Sequence, residues 1–275
     1  MPVLQSLEGY KPFVYYNIQF PDGTVATNMM TISDKESNFK EGNCDVQCGN
    51  NYFRGNLTDY SVHIEDPQKQ FTIDLNLHRE ISSWRLGSAF AQRSDIQTFT
   101  WLCAVPKGGV NGFLRYQDKK LSFHGQGYHD HQWATDVNYT FWNRWLWGRQ
   151  QTQDYTVLLF DLVSTQATGA QEFPWFFVQD KDGNVIFDNI EKTADVDIKI
   201  ESTREDKGSG KVFPQLSHVM LFIKIISKLV ISSMQKKILF LTIISNLRRN
   251  QLKRNTINWD VIQPILEPVP MHILF

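Results

Sequence analysis

Short runs of aromatic and β-branched residues, separated by turn-forming residues, recur from residue 10 to about residue 205. They lack the helical periodicity that an α/β fold would require between its strands. The run Phe13–Phe20 stops at Pro21-Asp22-Gly23, where proline fixes φ and glycine accepts a positive φ, so a hairpin is predicted there. Many short strands at fairly even spacing predict an all-β fold, an antiparallel sandwich or barrel.

The same pattern predicts the remaining strands and their connections. Tight connections are predicted at Gly108-Gly109 and at Asp182-Gly183. Further strands are predicted over Tyr60–Glu65, Gln70–Leu77, Thr98–Val105, Gly112–Tyr116, Lys120–Gly125, Tyr155–Val163, Trp175–Gln179, Asn184–Asp188 and Ala194–Glu201.

The bulk composition narrows the class of partner. The chain has 275 residues and is 41% hydrophobic, which is enough for a packed core. Its 28 basic and 29 acidic residues leave a formal charge of -1, so the overall charge gives no reason to expect nucleic acid. Cys44, Cys48 and Cys103 are too few for a disulfide framework and lack the second ligand pair of a structural zinc site. We expect a small molecule or a protein as the partner.

The composition changes abruptly between Gln215 and Trp259. This segment has no Asp, Glu, Gly, Ala or Pro and carries eight lysine and arginine residues. Its apolar runs, Val219–Ile223 and Ile238–Ile244, are shorter than the roughly 20 residues that cross a bilayer. A basic amphipathic helix lying on a membrane or a partner is one interpretation. We favour another, the translation of an AT-rich intron or of a shifted reading frame.

The segment GQGYHDHQWATD, Gly125–Asp136, is the densest concentration of ionisable and aromatic groups. In an extended strand Tyr128 and Asp130 share one face. A carboxyl group that points into apolar surroundings has a raised pKa, so Asp130 could donate a proton near neutral pH while Tyr128 orients a substrate oxygen. The alternative is that Asp130 caps a turn or forms a buried ion pair with Arg144 or Arg149.

The opposite face of this strand carries His129 and His131. Two imidazoles two residues apart can bind one metal ion, but no third ligand lies in an evident register. Hydrogen bonds to neighbouring strands or loops are the alternative. We therefore expect no metal and treat both histidines as candidate substrate-binding residues.

A second aromatic stretch, FWNRWLWGR, follows at Phe141–Arg149. On a strand, Trp145, Trp147 and Arg149 share one face, which could line a pocket for a large unsaturated ligand or stabilise positive charge on it. The alternative is an ordinary bulky core. Trp101 in FTWLCAVPKGG extends the aromatic set.

These motifs carry a family resemblance. GQGYHDHQWATD followed by WNRWLWGR, with GNNYFRGN, FTWLCAVPKGGVNGFL and LSFHGQG upstream, resembles the lipocalin-like superfamily of carotenoid 1,2-hydratases, AttH-type proteins, kievitone hydratase and fungal Diels-Alderases. The resemblance runs from about residue 45 to about residue 190. It implies two lipocalin-like antiparallel β-barrel or sandwich domains, a hydrophobic substrate and no cofactor.

The resemblance also implies roles for particular residues. In hydratase-like members the Tyr-x-Asp pair, here Tyr128 and Asp130, lies in the active site, with the aspartate as the proton donor to an alkene. Trp101 matches a tryptophan that lines the substrate tunnel. The histidine expected two residues earlier is replaced by Phe99, which leaves the kievitone hydratase and cyclase branches open.

We therefore expect an N-terminal β domain over residues 1–140, the start of a second over 141–212, and an atypical basic tail over 213–275 that leaves the second domain truncated or disrupted. The expected function is a cofactor-free hydratase of secondary metabolism acting on a hydrophobic isoprenoid, polyene or polyketide. A Diels-Alderase or isomerase-type cyclase and a non-catalytic lipocalin-like carrier are the alternatives. The N-terminus lacks a basic region followed by a long apolar run, which favours a cytoplasmic location.

Overall fold

A computed structural model describes residues 3–6, 9–40, 42–94, 97–134, 142–189, 194–205, 207, 210, 212–223, 239–243 and 271–274. Over these residues the chain consists of antiparallel strands and three 3-10 helices, Asp34–Glu36, Pro67–Lys69 and Gln166–Thr168, so the all-β prediction is confirmed. The strands are β1 (Val3–Ser6), β2 (Gly9–Gln19), β3 (Val25–Thr31), β4 (Ser37–Phe39), β5 (Cys44–Cys48), β6 (Asn51–Gly55), β7 (Asp59–Asp66), β8 (Phe71–Arg79), β9 (Trp84–Ser94), β10 (Gln97–Tyr116), β11 (Lys119–Ala134), β12 (Trp142–Gln151), β13 (Tyr155–Ser164), β14 (Glu172–Asp180), β15 (Val185–Asp188), β16 (Ala194–Glu205), β17 (Val212–Ile223), β18 (Leu239–Ile243) and β19 (Met271–Leu274).

The chain divides into two compact units. Unit 1 comprises Met1–Val137 with Pro264–Phe275, and unit 2 comprises Asn138–Gln263. In unit 1, β2 pairs with β1, β3 and β19, and a larger sheet runs in the order β11-β10-β8-β7-β6-β5-β4, with β9 also paired to β10. In unit 2, one sheet has the order β12-β13-β14-β15 and another the order β16-β17-β18.

Residues of alternating polarity build the core of unit 1. Along β8, Phe71, Ile73, Leu75 and Leu77 are buried, and the residues between them point outward. This two-residue period is what a strand with one buried face requires. The core continues through Val14, Tyr16 and Ile18 of β2 and Val62 and Ile64 of β7.

The predicted turns are confirmed at two of three places. At Pro21-Asp22-Gly23, between β2 and β3, Gly23 has a φ of 83° and its amide donates to the Phe20 carbonyl at 2.9 Å. At Asp182-Gly183, between β14 and β15, the Gly183 amide likewise donates to the Asp180 carbonyl at 3.1 Å.

The predicted tight connection at Gly108-Gly109 is wrong. Both glycines lie inside β10, which runs unbroken from Gln97 to Tyr116 and joins two runs that the sequence predicts as separate strands. A Cβ atom at Gly108 would lie 2.5 Å from the carbonyl oxygen of His78 on β8. The glycine therefore permits close approach of two strands beside a register shift between Val105 and Gly108.

Unit 2 is organised around β13, whose residues from Thr156 to Ser164 are all buried. Because β12 and β14 pair with it on either side, β13 is a central strand. Its inward residues Val157 and Leu159 pack with Phe176 and Val178 of β14, and with Leu146, Phe187, Val196 and Ile198.

The basic segment Gln215–Trp259 is described only in part. Its described portions belong to β17 and β18, which pair antiparallel, so they form strands where one interpretation placed a helix. The rest of the segment lies outside the described residues. Within the described part of the chain, the search for membrane spans finds no helix with the length and apolar character that crossing a bilayer requires.

A buried carboxylate links the two sheets of unit 1. Asp66, at the end of β7, is 2% exposed and accepts hydrogen bonds on Oδ2 from the Tyr16 hydroxyl at 2.8 Å and from Asn28 Nδ2 at 2.7 Å. The Lys69 amide donates to Oδ1 at 3.2 Å. Burial raises the pKa of Asp66, but these donors outweigh it, so the pKa lies below its ordinary value.

We predict that Asp66→Ala lowers the free energy of unfolding by about 2–3 kcal/mol, because it leaves the Tyr16 hydroxyl buried without its acceptor. Denaturant titration of the purified protein measures this change. Asp59→Ala is the control, since the Asp59 carboxylate is exposed and bonds to the exposed His78 imidazole. Equal losses in the two variants would contradict the role of Asp66.

Candidate active site

Asp130 on β11 is the centre of the candidate site. Its Oδ2 accepts a hydrogen bond from Trp101 Nε1 at 2.7 Å and another from the Tyr128 hydroxyl at 3.0 Å. Trp101 pairs with Gln132 across the β10–β11 ladder, which places its indole on the same face as Tyr128 and Asp130. A single oxygen of the carboxyl group, Oδ2, therefore accepts both hydrogen bonds.

Two further residues support this arrangement from β9 and β10. Trp84 meets Trp101 edge to face, with ring centroids 5.7 Å apart, and Trp101 itself is 0% exposed. Trp84 pairs with Cys103, which is also buried and lies within hydrogen-bonding reach of the Tyr128 side chain. The donors to Asp130 are therefore held in place by packing.

The surroundings favour the protonated form of Asp130. Burial raises the pKa of its carboxyl group above the ordinary value, while hydrogen bonds from Trp101, Tyr128 and Gln132 pull the pKa back down. Burial also raises the pKa of Tyr128, and the nearby Cys103 and Asp130 raise it further. Tyr128 is thus a neutral hydrogen-bond donor, and Asp130 is a carboxyl group suited to hold and release a proton.

The two histidines lie on the opposite face of β11. His129 packs against Phe53 and Tyr60 of the unit 1 core, with ring centroids 4.6 Å and 4.7 Å apart. Burial lowers the pKa of His129 to about 3, so its imidazole is neutral at neutral pH. The imidazole of His131 also has a lowered pKa, first because of desolvation. Over the described residues no group of three His, Cys, Asp or Glu side chains could hold a metal ion.

Trp145, Trp147 and Arg149 belong to β12 in unit 2. They alternate with Leu146 and Gly148, so they share one face of the strand as the sequence pattern requires. Trp145 is 60% exposed and Trp147 is 36% exposed, so both present aromatic surface to solvent. A substrate-binding role for these three residues stays a prediction.

The sequence pattern groups Tyr128 with Asp130, and the structure adds Trp101 as a direct hydrogen-bond partner of Asp130. Sequence reasoning missed Cys103 and Gln132 as members of the site, although strand parity places them with Trp101 and Asp130 respectively. It also missed Trp84, for which no signal existed, since only the pairing of β9 with β10 brings it there.

The fold and this site define a class: an all-β protein of lipocalin-like fold with a half-buried carboxyl group that accepts hydrogen bonds from an indole and a phenol. The sequence profile of the Diels-Alderase-like family matches residues 79–206, which include Trp101, Tyr128 and Asp130. In this profile match and in its fold the chain is similar to the lipocalin-like hydratase and cyclase superfamily, as its motifs indicate.

Solved structures share the fold at low sequence identity. An AttH-type protein of Nitrosomonas europaea aligns with a TM-score of 0.60 and 14% identity over 78% of this chain and 67% of its own. Kievitone hydratase of Nectria haematococca aligns with a TM-score of 0.53 and 12% identity, over 80% of this chain and 70% of its own. CghA, in a crystal structure with Sch210972, aligns with a TM-score of 0.54 and 15% identity, over 79% of this chain and 64% of its own.

One curated relative matches over a short stretch. The hydroxyneurosporene dehydrogenase of Chlorobaculum tepidum is 44% identical over 55 residues, which are 18% of this chain. The match spans only 14% of that protein.

We predict that Trp101→Phe raises the pKa of Asp130, because it removes a hydrogen-bond donor that stabilises the carboxylate. Infrared titration of the carboxyl band, assigned by its loss in Asp130→Asn, measures the shift. Trp84→Phe is the matched control, since it changes the indole that packs edge to face on Trp101, whereas Trp101, Tyr128 and Gln132 are the side chains whose hydrogen bonds lower the pKa of Asp130. A similar shift in both variants would show that packing, and not the indole N–H group, sets this pKa.

Proposed function

We propose that this protein is a cofactor-free hydratase that adds water to an alkene of a hydrophobic isoprenoid, polyene or polyketide, with Asp130 as the proton donor. The observation that carries the proposal is the half-buried Asp130 carboxyl group with two hydrogen-bond donors on Oδ2. A carboxylic acid of raised pKa in a buried site is the kind of group that protonates a carbon–carbon double bond.

The hydrogen bonds suggest which oxygen carries the proton. Since Trp101 and Tyr128 both donate to Oδ2, the carboxylic proton is best placed on Oδ1. When Oδ1–H transfers its proton to one alkene carbon, negative charge develops on the carboxyl group and strengthens both bonds to Oδ2. These donors therefore stabilise the carboxylate that the transfer leaves behind.

The second half of the reaction needs a water molecule. Water adds to the cationic carbon and loses a proton, which can return to the Asp130 carboxylate, so the net change is alkene plus water to alcohol. Gln132 lies beside Asp130 and is exposed, which suits an amide that orients the incoming water. Exposed aromatic rings such as those of Trp145 and Trp147 suit the binding of an unsaturated, cation-forming substrate.

We predict that Asp130→Asn lowers the hydration rate by about 10²- to 10⁴-fold, the usual contribution of a general acid. The assay incubates candidate isoprenoid and polyketide alkenes with the protein in isotopically labelled water and follows gain of one water by mass spectrometry. Asp74→Asn on the outer face of β8 is the control, because Asp74 is an exposed carboxylate that bonds to His63 and lies apart from the site. Undiminished turnover in Asp130→Asn would rule out the acid role.

The pH dependence follows from the raised pKa of Asp130. A general acid works only while protonated, so kcat/KM should be constant at low pH and fall by about tenfold per pH unit above this pKa. The midpoint should lie above the ordinary range of an aspartate. It should move upward in Trp101→Phe, and an unchanged profile in that variant would assign the titration to another group.

A cyclase is the second candidate, and the match to the Diels-Alderase-like family favours it specifically. A pericyclic reaction needs a pocket that folds a polyene into a reactive conformer and requires no proton transfer. Asp130→Asn would then be mild, whereas replacing Trp147 with Ala would be severe. A carrier that binds without reaction would return every ligand chemically unchanged, with no added water and no isomerisation.

A further inference from the structure

A second buried carboxyl group lies in unit 2, away from the residues assigned to the reaction. Asp161, in the middle of β13, is 1% exposed, and neither of its oxygens accepts a hydrogen bond from a donor group; the partner within hydrogen-bonding reach is another carboxyl group, that of Glu172. It follows Val157 and Leu159 on the face that packs into the unit 2 core. An ionised carboxylate is strongly disfavoured in such surroundings unless donors compensate for the lost water.

The charged groups around Asp161 come from the two neighbouring strands. Val163, two residues along the same face, pairs with Arg144 on β12 and with Glu172 on β14. Asp161 is therefore the diagonal cross-strand neighbour of Arg144, an opposite charge on β12, and of Glu172, a like charge on β14. Both neighbours are exposed, so solvent weakens their effect on the buried group.

An apolar cluster packs on this face around Val157 and Leu159. Its other members are Leu146 of β12, Phe176 and Val178 of β14, Phe187 of β15, and Val196 and Ile198 of β16. Among these side chains there is no hydrogen-bond donor that could replace water around a carboxylate. The charge balance at Asp161 therefore depends on Arg144 and Glu172.

We propose that Asp161 and Glu172 form a proton-binding pair that retains one proton in folded unit 2 at neutral pH, and that losing this proton loosens the β12–β13–β14 sheet. With one proton shared, the buried member stays neutral and the exposed member can remain ionised. When neither carboxyl group holds a proton, the buried Asp161 carboxylate is charged without a compensating donor and lies near the like charge of Glu172. The fold would thus sense pH through a site unrelated to Asp130.

The electrostatics agree with this geometry. Burial, and then the like charge of Glu172, raise the pKa of Asp161 from 3.8 to about 7, while Arg144 opposes the shift. A carboxyl group whose folded pKa is raised binds more protons in the folded state than in the unfolded state between these two values. Its contribution to stability is therefore complete below pH 3.8, declines up to about pH 7, and then stays constant.

The test is thermal and denaturant unfolding of the full chain between about pH 5 and about pH 9. Across the declining range this proton should raise the unfolding equilibrium constant by up to about tenfold per pH unit. Asp161→Asn, a neutral side chain of the same shape, should lose that dependence and be more stable than wild type at alkaline pH. Glu172→Gln should move the decline to lower pH, because the like charge is removed.

Asp154→Asn is the control, since Asp154 is an exposed carboxylate in the connection between β12 and β13. It should leave the pH profile unchanged. The carboxylic C=O band of wild type near neutral pH, absent from Asp161→Asn, gives a readout that does not depend on unfolding. The proposal fails if Asp161→Asn keeps the wild-type profile, if Asp154→Asn alters it equally, or if no protonated carboxyl band is lost.

If Asp161→Asn does not fold, Glu172→Gln still decides the question, because Glu172 is exposed and its replacement leaves the core intact. The infrared titration is then made in Asp130→Asn, which removes the other carboxyl group of raised pKa. The absence of any protonated carboxyl band near neutral pH in that variant would overturn the proposal, and neither measurement depends on hydration.

Discussion

The two-residue period of β11 determines what each side chain of its central motif can do. His129 and Asp130 are neighbours in the chain, yet one packs against Phe53 and Tyr60 and the other binds Trp101 on the opposite face. A slip of one residue would exchange these environments and bury a carboxyl group in the aromatic core. Pairing with β10 prevents the slip, so the position of the acid depends on the ladder between β10 and β11.

Local patterns predicted much of this arrangement. Alternation along single strands gave the all-β class, and it placed Tyr128 with Asp130, because strand parity needs no information from elsewhere in the chain. The Gly108-Gly109 prediction failed because a glycine pair has the same local signature in a turn and at a close approach of strands. The carbonyl of His78, far away in sequence, decides between them. The hydrogen bond between Trp101 and Asp130 could not be predicted for the same reason, since 29 residues and two register shifts separate the partners.

Fold resemblance and chemistry carry different information here. The solved relatives share between 12% and 15% of residues with this chain, and they include a protein named as a hydratase. One scaffold can serve several reactions, so the reaction must be argued from the side chains that meet the substrate. Trp101 illustrates the point. The family resemblance assigns it to the wall of a substrate tunnel, whereas its indole is fully buried and its N–H group is engaged with Asp130.

Three aspartates, two buried and one half-buried, show how hydrogen-bond donors affect the pKa of a carboxyl group that has lost water. Asp66 accepts bonds from Tyr16, Asn28 and the Lys69 amide, and its pKa falls below the ordinary value despite burial. Asp161 accepts no hydrogen bond from a donor group and has only the carboxyl group of Glu172 within reach, and its pKa rises to about 7. Asp130 has donors, as Asp66 does, yet its pKa stays above the ordinary value, because its donors reduce the upward shift caused by burial without reversing it. An acid that must both give up a proton and recover it needs this combination, since the raised pKa favours the protonated form and the donors stabilise the carboxylate that proton transfer leaves.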